Sequence, residues 1–168
     1  MAKKPQTAPA DESSTDAIAL LMNDHQEVKQ LFERYEELAE SGADDDEKQS
    51  LADEICTMLT VHATIEEELF YPAARDAVDD HSLLNEAEVE HQSAKDLIAQ
   101  IQASDPSDAL YDAQVHVLGE YIDHHVREEE GELFPEVRDA DLDLEALGAE
   151  MSARQEELLT AEASVEDA

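Results

Sequence analysis

A chain of 168 residues with a single cysteine is the size of one domain and cannot carry an internal disulfide. Only 4 glycines and 5 prolines, with abundant Ala, Leu and Glu, favour helices over a sandwich or barrel. The 45 acidic residues against 10 basic ones, a formal charge of -35, repel phosphates and anionic headgroups, so nucleic acid and membrane surfaces are excluded as expected partners.

Residues 1–14 read as a disordered tail. Met1 to Asp16 holds no apolar run of the kind a signal peptide needs, and Ala17 to Met22 is too short to cross a bilayer. A soluble cytoplasmic protein is expected. Ser14 or Thr15 is the expected N-cap of a first helix running to about Glu40. Its apolar stripe is Ile18, Leu21, Met22, His25, Val28, Phe32 and Tyr35.

Ser41-Gly42-Ala43 and three aspartates break that helix. A second helix runs from about Glu47 to Phe70, with Leu51, Ile55, Met58, Leu59, His62, Ile65 and Leu69 inward. Pro72 kinks or ends it, and a short extension reaches Val78. The third helix starts near Ser82, with Leu84, His91, Leu97, Ile98 and Ile101 inside, and stops at Ser104-Asp105-Pro106-Ser107. The fourth runs from about Ala109 to Phe134 and ends at Pro135. Leu118, Tyr121, Ile122, His125 and Leu133 lie on or near its inner stripe. A last weak helix covers about Leu144 to Glu162. The fold class is therefore all-α: an up-down-up-down four-helix bundle over residues 15–140, followed by an acidic helical segment, 141–168.

One pattern occurs twice. Asp24-His25-Gln26-x-x-Lys29-x-Leu31 matches Glu90-His91-Gln92-x-x-Lys95-x-Leu97 at a spacing of 66. His62-x-x-x-Glu66-Glu67 matches His125-x-x-x-Glu129-Glu130 at a spacing of 63. Each half is a helical hairpin, and two hairpins form a bundle with internal two-fold symmetry. His and Glu four residues apart share a helix face, so His62 with Glu66 and His125 with Glu129 point inward together. His25 and His91 sit mid-stripe on the other two helices.

A lone histidine on an apolar stripe is ordinarily a satisfied core residue. Four at repeat-matched positions, two with an inward glutamate one turn on, point to metal. Two facing carboxylates would repel in a core, and a pair of cations relieves that repulsion. Mixed nitrogen and oxygen donors without thiolate suit iron better than manganese or zinc. Two histidines would serve each ion, for example His25 with His62 and His91 with His125, with Glu66 and Glu129 bridging. With an oxo or hydroxo bridge, each ion keeps an open position for a small diatomic or peroxide.

Residues beside this set have two readings each. Lys29 and Lys95 either face the pocket or pair with acids such as Glu67 or Glu130. Glu67 and Glu130 either orient imidazoles or lie in solvent. Tyr121 reads better as a core residue than as a hydrogen-bonding partner of the site. His116 and His124 share an outer or boundary face, and His81 lies in a link. Cys56 reads as core.

These residues resemble the hemerythrin-like HHE cation-binding family over roughly residues 16–140. The strings Glu66-Glu67-Glu68-Leu69-Phe70-Tyr71-Pro72 and Glu129-Glu130-Gly131-Glu132-Leu133-Phe134-Pro135 are typical of it. The resemblance implies a non-heme di-iron centre, held at His25, His62, Glu66, His91, His125 and Glu129. It also implies reaction with oxygen, peroxide or nitric oxide, in oxidative or nitrosative stress handling. Oxygen-carrying hemerythrins have a fifth histidine where Lys95 stands, and close on His with Asp five residues on, where this chain has His125 with Glu129. The chain is thus similar to the symmetric HHE branch, which puts reversible oxygen storage in doubt. Two rival readings stay open: iron sensing or delivery without turnover, and a purely structural acidic helical protein. The acid-rich, Lys-poor surface suits a salty cytoplasm or an ordinary bundle with solvated faces.

Overall fold

The computed structural model describes residues 16–166, so the tail expected over residues 1–14 and the caps expected at Ser14 or Thr15 lie outside the described residues. Helix α1 spans Ala17–Ser41, and its cap is Asp16, whose side chain accepts the Ala19 N–H at 2.8 Å. It closes at Gly42, where φ is 70° and the Gly42 N–H reaches back to the Leu38 carbonyl. A side chain there would be strained, which is why glycine ends this helix. Helix α2, Asp45–Ile65, starts two residues before the expected point because Asp44 caps it, accepting the Glu47 N–H at 2.9 Å.

The chain stays helical past Pro72, in line with the extension expected to Val78, whereas Pro135, the expected end of the fourth helix, does not end it. Neither Pro72 nor Pro135 ends a helix. α2 passes through a π-helical turn, Glu66–Phe70, into α3, Tyr71–Ala77. The repeat-related α5, Tyr111–Glu128, passes through a π turn, Glu129–Leu133, into α6, Phe134–Asp139. A proline ring clashes with the carbonyl four residues earlier, here that of Glu68 or Gly131. Widening the preceding turn removes the clash. The Tyr71 N–H bonds the Glu66 carbonyl and the Phe134 N–H bonds the Glu129 carbonyl, each five residues back. Both turns begin at the inward glutamates, in keeping with the tendency of π turns to mark functional sites.

Helix α4 spans Ser82–Ala103 and α7 spans Leu144–Glu166. α1 packs against α2 and α5, and α4 against α5 and α2, so the four long helices form a square antiparallel bundle. α7 lies across α1 and α2. Two apolar clusters fill the interior. One gathers Ile18, Leu21, Ile65, Phe70, Leu84, Leu133, Phe134 and, from α7, Leu147 and Met151. The other gathers Val28, Tyr35, Leu51, Ile55, Cys56, Leu59, Ile98, Ile101, Tyr111, Val115 and Leu118. The His–Glu layer separates them.

Two stripe assignments are corrected. Met22 and Tyr121 are exposed, at 41% and 50%. Leu21 and His25 on α1, and Leu118 and His125 on α5, already fill the inward arc, and the next residue round each helix is left at the rim. Cys56 is buried as expected, and burial, with Asp53 nearby, pushes its thiol up to about 12. No helix among the described residues is long and apolar enough to cross a membrane.

Candidate metal centre

Glu66 and Glu129 are almost wholly buried, as are His25, His62, His91 and His125. The six side chains meet at one level. Glu66 Oε1 lies 2.9 Å from His62 Nε2 and 3.5 Å from His91 Nε2. Glu129 Oε1 lies 3.3 Å from both His25 Nε2 and His125 Nε2. Each carboxylate thus reaches one imidazole from either hairpin. The donors fall into two compact triads, His25 with His62 and Glu129, and Glu66 with His91 and His125, with ligand atoms in each no more than 4.8 Å apart. Donor atoms gathered this closely could hold a metal ion in each triad.

The outer nitrogens explain the ring orientations. His25 Nδ1 donates to Glu130 at 3.2 Å and His62 Nδ1 to Asp24 at 2.9 Å. His91 Nδ1 donates to Glu67 and His125 Nδ1 to Glu90, both at 3.3 Å. A proton held on Nδ1 leaves the Nε2 lone pair facing the centre, the arrangement a metal-ligating histidine requires. His25 Nε2, His62 Nε2, both Glu66 oxygens and Glu129 Oε1 are buried with no aligned hydrogen-bond partner. Such orphaned atoms are costly unless something binds them. His91 Nε2 and His125 Nε2 lie 3.2 Å apart, a contact that a cation between them would stabilise.

With only protein charges present, burial works against the charged forms of His62 and His125. The facing carboxylates outweigh it: Glu66 and Asp24 raise His62 to about 10, and Glu129 and Glu90 raise His125 to about 11. Burial alone would raise Glu66, but His62 beside it holds it well below the usual carboxylate range.

Of the neighbouring residues expected from sequence, Glu67 and Glu130 do orient imidazoles. Lys95 donates to Glu67 at 2.5 Å and, with its side chain 45% exposed, also lines the cavity above the histidines. Lys29 is exposed and lines a groove between α1 and α5 beside Glu130. Tyr121 stands at the rim of a cavity above the histidines. His116 pairs with Glu36, His124 with Glu128, and both are exposed; His81 bonds backbone carbonyls at the end of α3.

Sequence reasoning missed three residues. Asp24 and Glu90 each precede a ligating histidine and hold the ring of another, and that matched acid was visible in the repeat. Tyr71 is the third. Its buried hydroxyl donates to Glu129 Oε2 at 2.8 Å and lies 3.2 Å from His91 Nε2 and 3.4 Å from His125 Nε2. The repeat places Phe134 at the matching position, where its ring stacks 5.9 Å from His25. The two halves of the centre therefore differ in one hydroxyl.

The profile of the hemerythrin HHE cation-binding domain matches residues 16–161. The chain belongs to the hemerythrin HHE cation-binding family. A crystal structure of an HHE domain-containing protein from Mycobacterium kansasii superposes with a TM-score of 0.73 at 26% identity, covering 88% of this chain and 89% of that one. An uncharacterized Mycobacterium tuberculosis protein is 27% identical over 146 residues, covering 85% of this chain and 87% of its own length. A DNA nickase of Nostoc is 32% identical over 132 residues, which is 79% of this chain. The chain spans only 36% of that relative's length. As an HHE domain, this bundle carries His–Glu clusters able to bind metal, in two triads built from both hairpins.

Proposed function

We propose that the chain holds two iron ions between His25, His62, Glu66, His91, His125 and Glu129, and that the centre reacts with a small oxygen or nitrogen species: oxygen, peroxide or nitric oxide. The observation that carries this reading is a small cavity, about 40 Å³, walled by apolar side chains such as Val28, Leu59, Ala94, Ile98 and Ile122 and floored by the four imidazoles. It has room for a molecule of a few atoms and for little else. The nitrogen and oxygen donor set, without thiolate, suits iron.

An iron pair bound there would supply electrons for reduction of a small ligand. The protein's own part is positional. Glu66 and Glu129 span the two triads, the four outer carboxylates fix the rings, and the apolar walls keep bulk water from the reacting ligand. The Tyr71 O–H donates a hydrogen bond to Glu129 Oε2 at the edge of the centre and holds that carboxylate in place. Consumption of the ligand in stress handling is our reading of the role. A charge of -35 opposes approach of a phosphodiester backbone, so the activity named for the Nostoc relative is not part of it.

The buried glutamates support a second reading, iron sensing or delivery without turnover, in which metal occupancy sets the stability of the bundle. Anaerobic stopped-flow separates the two. Ferrous protein mixed with peroxide or nitric oxide should change its optical spectrum within seconds and, under turnover, consume the ligand. A spectrum that stays constant for minutes rules out the reactive role, while a sharp fall in melting temperature on iron removal then favours sensing.

A further inference from the structure

The four imidazoles are not held alike. Glu130, Glu67 and Glu90 reach theirs at 3.2–3.3 Å with side chains 25–32% exposed. Asp24 reaches His62 at 2.9 Å with its side chain only 8% exposed. Both Asp24 oxygens also accept from the Gln155 amide, at 3.2 and 3.1 Å. Gln155 belongs to α7, the helix that lies outside the internal repeat.

The repeat pairs Asp24 with Glu90, yet Glu90 has solvent and Glu128 beside it where Asp24 has α7. α7 is anchored where it matters. Leu147 and Met151, two turns and one turn before Gln155 on the same face, are buried against the bundle. Arg154 grips Glu68, in the first π turn, with two hydrogen bonds of 2.8 and 3.2 Å. The helix therefore reaches the centre on one side only.

We propose that Gln155 is a positioning residue for one of the two metal positions, that of His25, His62 and Glu129, acting through Asp24 on the His62 ring. By donating to both oxygens, Gln155 holds the buried Asp24 carboxylate in one rotamer. Asp24 then holds the His62 Nδ1–H, and the Nε2 lone pair stays aimed at the centre. α7 in this way sets the retention of one ion and not of the other. The inference rests on the two-ion reading above.

The test is timed release of iron from the loaded full chain to a chelator, with metal analysis of the protein at each time. In Gln155→Met, which keeps the length and loses the donor, one ion per chain should leave about tenfold faster, the lower end of the effect of losing a residue that orients a ligand. The other should leave at the wild-type rate. Gln155→Lys, which restores a donor, should return the slow release. In a His62→Ala background, where only the Glu66, His91 and His125 position stays filled, Gln155→Met should change nothing. Equal acceleration of both ions, or of neither, in a folded variant overturns the proposal while leaving the two-ion reading intact. A wild-type chain that takes up no ion overturns both.

Discussion

Tyr71→Phe removes one hydroxyl from the centre and little else. The Tyr71 ring is buried beside His91, with centroids 5.3 Å apart, and a phenylalanine would keep that packing. Burial and the facing Glu66 and Glu129 hold the phenol well above its usual range, so at neutral pH it is a donor. The bond it makes, to Glu129 Oε2 at 2.8 Å, joins a hydroxyl to a buried carboxylate. Hydrogen bonds to charged groups contribute about 1.5–3 kcal/mol. For a domain of this size each kcal/mol moves the melting temperature by about 2–4 °C, so the metal-free variant should melt roughly 3–12 °C below wild type. Circular dichroism melts of both proteins after chelation measure this. Equal melting temperatures would show that Glu129 is satisfied without Tyr71, and that the hydroxyl is not its partner. The reciprocal change, Phe134→Tyr, brings a hydroxyl toward Glu66, whose two oxygens have no aligned partner. It should raise the metal-free melting temperature, and a fall would mean that the second half of the centre has no room for it.

Other outcomes follow from the same geometry. Glu66→Gln should weaken both ions, since Glu66 reaches one histidine in each triad, whereas His25→Ala should cost one; metal analysis after dialysis distinguishes these, and loss of one ion in both variants would deny the bridging arrangement. In the metal-free chain His62 and His125 are raised from 6.5 to about 10 and about 11, so their ion pairs stabilise fully below pH 6.5 and lose that contribution as pH rises through those values. Metal-free protein should accordingly melt lower at pH 10 than at pH 6, and loading at pH 7 should release protons into weakly buffered solution. Cys56, raised to about 12, should resist alkylation until the chain unfolds, and rapid labelling of native protein would place it at the surface. With a charge of -35, raising sodium chloride from about 0.1 to about 1 M, which shortens the screening length from about 10 to about 3 Å, should raise the melting temperature; no change would show that self-repulsion is a minor cost.

The helices were legible because apolar residues recur at three- and four-residue steps, and the six inward groups because the repeat matches them at spacings of 66 and 63. The π turns were not legible. Proline is read as a kink or a stop, and only the five-residue hydrogen bonds from Tyr71 and Phe134 show how the chain accommodates it. The Tyr71 and Phe134 difference stood in the aligned repeats, but a tyrosine beside a proline does not reveal that its hydroxyl reaches across to the glutamate of the other hairpin. Gln155 follows Leu147 and Met151 at four-residue steps, so its face could be read. What covers that face is a tertiary fact: α7 has to fold back over α1 before Gln155 meets Asp24. Tyr121 and Met22 fail for the opposite reason, since spacing alone does not tell which edge of a stripe a neighbouring helix covers.

The proposed centre requires cations bound at the His–Glu layer. Elemental analysis of the full chain loaded with ferrous iron under anaerobic conditions and then desalted tests it most directly. Two iron ions per chain are expected, one for each triad, falling sharply in a Glu66→Gln, Glu129→Gln double variant that still folds. A wild-type chain that emerges folded and free of metal, or a double variant that retains both ions, would contradict it.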